Sequence, residues 1–192
     1  MSKAGIGCVV VTATAAMLVF GVGGCVYGKV VGLRNAGTDC DGKFAQVDNM
    51  LERKVKLIPN LVESVKGISK HEQALISSIA DARGKMMSAG TPAEKAAAND
   101  GLNSALGRLM VVVENYPNIK ADKHYTQLMD ELSGSENRIA VARMDYNNQV
   151  VVLDKKLNDP INGVIANFIN LKRRELFEAS ADARANNVQV KF

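Results

Sequence analysis

The chain reads as all-α: an N-terminal transmembrane or anchor helix followed by a long antiparallel four-helix bundle. Three observations predict this. Ala4 to Gly28 is a run of twenty-five residues without one charged side chain. Beyond it, apolar residues recur every three or four positions, the period of an amphipathic helix. The composition is 47% hydrophobic but only 5% aromatic, with no Trp, which suits helices better than the aromatic and β-branched alternation of a sandwich.

Residues 1–34 form the anchor region. At ~1.5 Å per residue the uncharged run covers ~37 Å as a helix, enough for a hydrocarbon core of ~30 Å. Ile6, Val10, Leu18, Phe20 and Val22 supply its apolar bulk. Two readings compete. In the preferred one the run stays as a single-pass span of the cell inner membrane, because its full length is that of a span. Gly24, Gly28 and Gly32 would then offer two overlapping GxxxG spacings for close helix approach, or simply a flexible exit from the membrane. In the other reading Ile6 to Phe20 is an export signal and Val22-Gly23-Gly24-Cys25 a lipobox, cleaved so that residues 1–24 are lost and the Cys25 thiol carries lipid at the envelope. Lys3 and the amino terminus balance Lys29 and Arg34, so the charge rule does not orient the segment. Gly23 to Lys29 matches seven positions of a P-loop, but Val30 stands where magnesium needs a hydroxyl, and no strand precedes it.

Residues 35–42 read as a linker, with Gly37 and Gly42 and a Thr-Asp pair. The bundle, 43–186, begins with a helix from Lys43 to Ser88 on a stripe of Val47, Leu51, Val55, Ile58, Val62 and Val65, weakening near Gly67 and Ser69. Pro59 predicts a kink, or a new helix starting there. Thr91-Pro92-Ala93-Glu94 is a capping box with Pro at the first helical position, opening a second helix to about Asn115. It buries Leu102, Ala105, Leu106, Leu109 and Val113, and Tyr116-Pro117 ends it. A third helix from Ala121 or Asp122 carries a seam of Tyr125, Met129, Leu132, Glu136, Ile139, Arg143, Tyr146, Val150, Leu153 and Leu157 in steps of four and three. Asn158-Asp159-Pro160 ends it. A fourth, Ile161 to about Ala185, uses Val164, Ile165, Phe168, Leu171 and Phe177, and residues 187–192 form a tail.

Helix lengths of ~68, ~36 and ~57 Å follow for the first three. The second is then too short to cover residues 43–60, whose apolar stripe predicts association with other copies near the membrane. Glu136 and Arg143 are charges on an apolar seam, too far apart to pair with each other. Arg53, Arg83, Glu72 and Glu114 are their candidate partners. The network either fixes helix register or lines a polar groove for a partner peptide or a proton-sensitive switch.

Catalytic spacings are missing. His71-Glu72-Gln73-Ala74-Leu75 lacks the second His of a zincin, GxSxG is absent, and no Glu-x-x-His pair occurs. Cys8, Cys25 and Cys40 define neither a disulfide framework nor a zinc site. The 24 basic and 20 acidic residues are interleaved, and Lys172-Arg173-Arg174 is followed at once by Glu175, so no nucleic-acid footprint is indicated. The sequence predicts no enzyme, no cofactor and no metal.

Leu57-Ile58-Pro59-Asn60-Leu61-Val62, then Val65-Lys66 and His71-Glu72, resembles the LIPNLV…VK…HE pattern of the LemA family. Ala82-Arg83, Asn103 to Leu109, Glu114-Asn115-Tyr116-Pro117, Glu136…Ile139…Arg143…Tyr146-Asn147 and Phe177-Glu178…Val188 to Phe192 extend the likeness over about residues 25–192. Departures are Tyr27-Gly28 for Tyr-Asn, Arg53-Lys54 for paired Arg, and Leu153-Asp154 for a second Tyr-Asn. The resemblance implies a long antiparallel bundle on an N-terminal anchor, either an uncleaved helix or a lipobox. It implies no agreed biochemical activity, though some relatives act in magnetosome membrane biogenesis. The expected function is a membrane-anchored, self-associating scaffold that binds lipid, other copies and unidentified proteins. The alternative is a ligand-binding or catalytic bundle with a polar cleft around Glu136 and Arg143.

Overall fold

A computed structural model describes the backbone of residues 3–68 and 72–178, with side chains from residue 23 onward in those ranges. The described residues are all helical or irregular, in the order α1 (Lys3–Ser64), α2 (Gln73–Ser88), α3 (Pro92–Val113), α4 (Pro117–Lys120), α5 (Lys123–Leu157) and α6 (Pro160–Phe168). The side chains of Ile6, Val10, Leu18, Phe20 and Val22 lie outside the described residues, as do His71 and the tail 187–192. Among the residues with described side chains, from 23 onward, no helix is long and apolar enough to cross a membrane. Cys25 is exposed on α1.

The expected linker at 35–42 is helix. Leu33, Ala36 and Cys40 are buried at helical spacing, so packing overrides the glycines' preference for turns. Gly37 is needed for closeness: a Cβ there would stand 2.8 Å from Leu171 Cδ1. The chain divides into two compact units, Met1–Cys40 with Val151–Arg174, and Asp41–Val150 with Glu175–Phe192. The first buries Leu33, Ala36, Cys40, Leu153, Leu157 and Ala166.

The second unit has its main core on Ile58, Leu61 and Val65 of the α1 end, Ile79 of α2, Leu102 to Val113 of α3, and Tyr125 and Leu132 of α5. The Lys43–Ser88 helix is in fact two. Ser64 turns its hydroxyl back to the Leu61 carbonyl at 2.8 Å, and three-residue turns follow through Ile68. This corrects the length argument. Residues 43–64 and the 22-residue α3 are each ~33 Å long, so α3 can run the whole way alongside. Val47, Leu51, Val55 and Ile58 are accordingly buried within one chain, and the bare stripe that predicted other copies does not exist.

Helix starts follow the sequence closely. The Thr91 hydroxyl accepts from Glu94 N at 3.2 Å and the Glu94 carboxylate accepts from Thr91 N at 3.1 Å, the expected capping box. Asp122 accepts from His124 N and Tyr125 N, and Asp159 from Ile161 N and Asn162 N. The fourth helix is much shorter than expected. After Phe168 the chain enters a left-handed residue, Asn170 (φ 55°), and Leu171 N donates to the Ala166 carbonyl at 2.9 Å. That six-to-one bond, with Asn170 N to the Asn167 carbonyl, is a Schellman stop built on Asn instead of Gly. Residues 171–178 carry no regular secondary structure. Val164 and Phe168, expected inside, are exposed, while Phe177 is buried without being helical.

Candidate functional site

Two polar clusters stand in the second unit, and each contains one of the two seam charges. The first is built on Lys54, whose side chain is 1% exposed. Lys54 occupies the core stripe of α1 between Leu51 and Ile58. Its ammonium donates to Asn99 Oδ1 at 2.9 Å, to Asn103 Oδ1 at 2.5 Å, and to Glu136 Oε1. Asn99 and Asn103 share one face of α3, one turn apart, and donate in return to Glu136 Oε2 at 3.4 and 3.0 Å. All three N–H donors of the lysine are used, and both carboxylate oxygens are engaged. Burial pushes the Lys54 pKa below its ordinary value, opposed by its bond and charge pairing with Glu136. Burial acts to raise Glu136, but the hydrogen bond and charge of Lys54, helped by Asn103 and Asn99, outweigh it and hold the carboxyl low. The cluster binds α1, α3 and α5 to one another at a single point.

The second cluster holds the end of the irregular segment, 175–178, by its main chain. Asn147 Nδ2 donates to the Phe177 carbonyl and Asn147 Oδ1 accepts from Phe177 N, both at 2.9 Å. The Tyr146 hydroxyl donates to the Glu175 carbonyl at 2.8 Å, and Arg143 to that of Glu178 at 3.3 Å. The Phe177 ring lies edge-on to Tyr146 (centroids 5.4 Å) and beside Phe44 (6.0 Å), with the Arg143 guanidinium 5.5 Å from its centre. An amide that reads both the N–H and the C=O of one residue substitutes for a strand partner.

These geometries correct the expected partners. Glu136 pairs with Lys54, not with its neighbour Arg53, which is exposed. Arg143 meets the C-terminal segment, so Glu136 and Arg143 line no common cleft. Glu114 is exposed and pairs with Lys120 at 3.4 Å. Glu72 lines a groove with Arg108. Arg83 has a different task. Its Nε donates at 3.3 Å to the carbonyl of Val55, the group four residues before Pro59. Proline has no N–H to give that carbonyl, so Arg83 supplies the bond that Pro59 withholds, and α1 runs on through Pro59. In the family segment, Ile58 and Leu61 are buried, Leu57 and Val62 half-buried, and Pro59 and Asn60 exposed.

Sequence reasoning missed Lys54, Asn99 and Phe44. The available signal was Lys54 on an apolar stripe facing a helix with Glu136 on its own apolar seam. An open groove of about 690 Å³ between α2 and α3 is lined by Asp81, Lys85, Glu94 and Arg108 among others. Among the described residues no group of His, Cys, Asp or Glu could hold a metal.

A family model described as "LemA family" matches residues 43–192. Two curated relatives from Paramagnetospirillum magneticum, "Magnetosome protein MamQ 1" and "MamQ 2", are 28% identical over 166 residues, 73% of this chain and 61% of theirs. "Magnetosome protein MamQ" of Magnetospirillum gryphiswaldense is 26% identical over 165 residues, 72% of this chain and 61% of its own. The match thus spans about three fifths of the relatives' length.

Proposed function

The chain belongs to the LemA family, and from that premise we propose that it is a membrane-anchored helical scaffold without catalytic activity. The uncharged run at 4–28 is its anchor as an inner-membrane span; in the alternative, residues 1–24 are removed and lipid on Cys25 holds the chain. Residues from 43 on form its working bundle, and its partners are lipid, other copies and other proteins. One observation carries the reading: α1 contains both the uncharged run and the core-forming residues Val47 to Leu61, with helix throughout. An apolar stretch of that length is far more stable in hydrocarbon than in water. The closed state of the polar clusters agrees with a structural role: Lys54 has no N–H left for a ligand. Exposed Met110 and Val111 on α3, and Val141 and Met144 on α5, offer apolar contacts to partners. Likeness to the magnetosome proteins suggests work on a membrane compartment. Alkaline carbonate extraction of native membranes tests the anchor, and crosslinking before extraction identifies what the bundle holds. Full-length protein released by carbonate would overturn the reading.

A further inference from the structure

The geometry points to the outer face of α6 as a lipid-docking surface, on which Ile161, Val164 and Phe168 enter the headgroup–acyl boundary of the bilayer. It rests on the membrane-anchored reading above and adds a second contact to it. At about 100° per residue the three side chains fall within roughly 60° of arc. They are 59%, 71% and 92% exposed, while Ala166 on the other side of the helix is buried. A phenylalanine almost fully in water, aligned with two more apolar side chains on nine residues, is a face lacking its partner.

Two observations identify that partner as lipid. Lys29 is the first charge after the uncharged run, and its Nζ donates to Asn162 Oδ1 of α6 at 3.2 Å. The short helix therefore sits beside the point where α1 would leave the hydrocarbon. Charge is the second. Over 23–40 and 151–174, the part of this unit with described side chains, seven basic residues stand against three acidic ones. Lys155 and Lys156 precede α6 and Lys172, Arg173 and Arg174 follow it. α6 itself carries no charge, so its apolar face supplies the burial and the Lys and Arg on either side of it supply the attraction to anionic headgroups.

The chain has no Trp, so Phe168→Trp places a sole reporter on this face at a position where little packing is lost. The full-length variant is reconstituted into vesicles of phosphatidylcholine and phosphatidylglycerol, with and without brominated acyl chains. Expected are a blue-shifted emission, loss of intensity in the brominated vesicles, and protection from iodide. Adding Val164→Asp should reverse all three while carbonate extraction still leaves the protein in the vesicles. A Trp that iodide reaches and bromine does not, in carbonate-resistant protein, overturns the docking and leaves the anchor standing. A blue shift without bromine quenching that fades on dilution into excess lipid assigns the face to a second copy, and also overturns it. Release by carbonate sinks the anchor reading, and the docking with it.

Discussion

Removing the ammonium of Lys54 should be among the most destabilising single changes in the chain. Lys54→Met keeps the length and apolar body of the side chain but leaves Glu136 facing a place where its counter-charge stood. Breaking a buried ion pair from one side costs about 3–5 kcal/mol. Glu136 keeps its Asn103 and Asn99 donors and its side chain is 35% exposed, which puts the cost at the low end, about 3 kcal/mol. For a chain of this size that is a fall of roughly 6–12 °C in Tm, read by circular dichroism of full-length protein in detergent. The double variant Lys54→Met, Glu136→Gln removes the stranded charge, while the new amide still bonds Asn99 and Asn103. It should melt no lower than Lys54→Met alone, and because Glu136→Gln by itself strands the buried ammonium at about 3 kcal/mol, the non-additivity is about 3 kcal/mol. A single variant within about 0.5 kcal/mol of the parent, the range of ordinary surface changes, would refute this reasoning. So would strictly additive losses.

Other expectations follow from the same contacts. Glu136 has a folded pKa below its ordinary 4.5, so its stabilisation is complete above 4.5 and is lost as pH falls through the folded value. Glu136→Gln should therefore shrink the acid-induced drop in Tm below pH 4.5, and an unchanged pH profile would contradict the pairing. Phe177→Ala should cost about 3 kcal/mol by emptying the pocket beside Phe44 and Tyr146. Asn147→Ala should cost about 1–2 kcal/mol and open residues 175–178 to protease, so equal digestion rates would argue against the main-chain clamp. Arg83→Met should destabilise by about 1 kcal/mol with Pro59 present and by much less in a Pro59→Ala background, where alanine can supply the missing N–H. Thr91→Ala should lower stability by about 1 kcal/mol through loss of the cap.

Where a single local rule decides an element, the sequence was sufficient. Thr91 with Glu94 is a cap that acts within four residues, and the helix starts at Lys123 and Pro160 lie within two residues of those the sequence predicts. The α5 seam from Tyr125 to Leu157 is likewise a local periodicity, and its apolar positions are buried except for half-buried Met129. What depended on distant packing was hidden. Gly37 looked like linker until Leu171 was found against it. The break after Ser64 has only Gly67 and Ser69 to announce it, and overlooking it lengthened one helix and created a false bare stripe. The stop at Phe168 uses Asn170 in a left-handed conformation, a task that sequence readers assign to glycine. At the candidate site both seam charges were visible, but their partners were not. Lys54 is one residue from the exposed Arg53, and the Arg143 partner is a backbone carbonyl, which leaves no trace in side-chain pattern.

Helix runs without interruption from the uncharged segment through Ser64. Residue-resolved hydrogen exchange of full-length protein in lipid nanodiscs tests this directly. It should find the amides of 4–28 unexchanged in lipid and those of 35–42 as slow as those of Val47 to Ile58. Rapid exchange across 35–42 would restore a flexible linker there, and rapid exchange across 4–28 would remove the anchor itself.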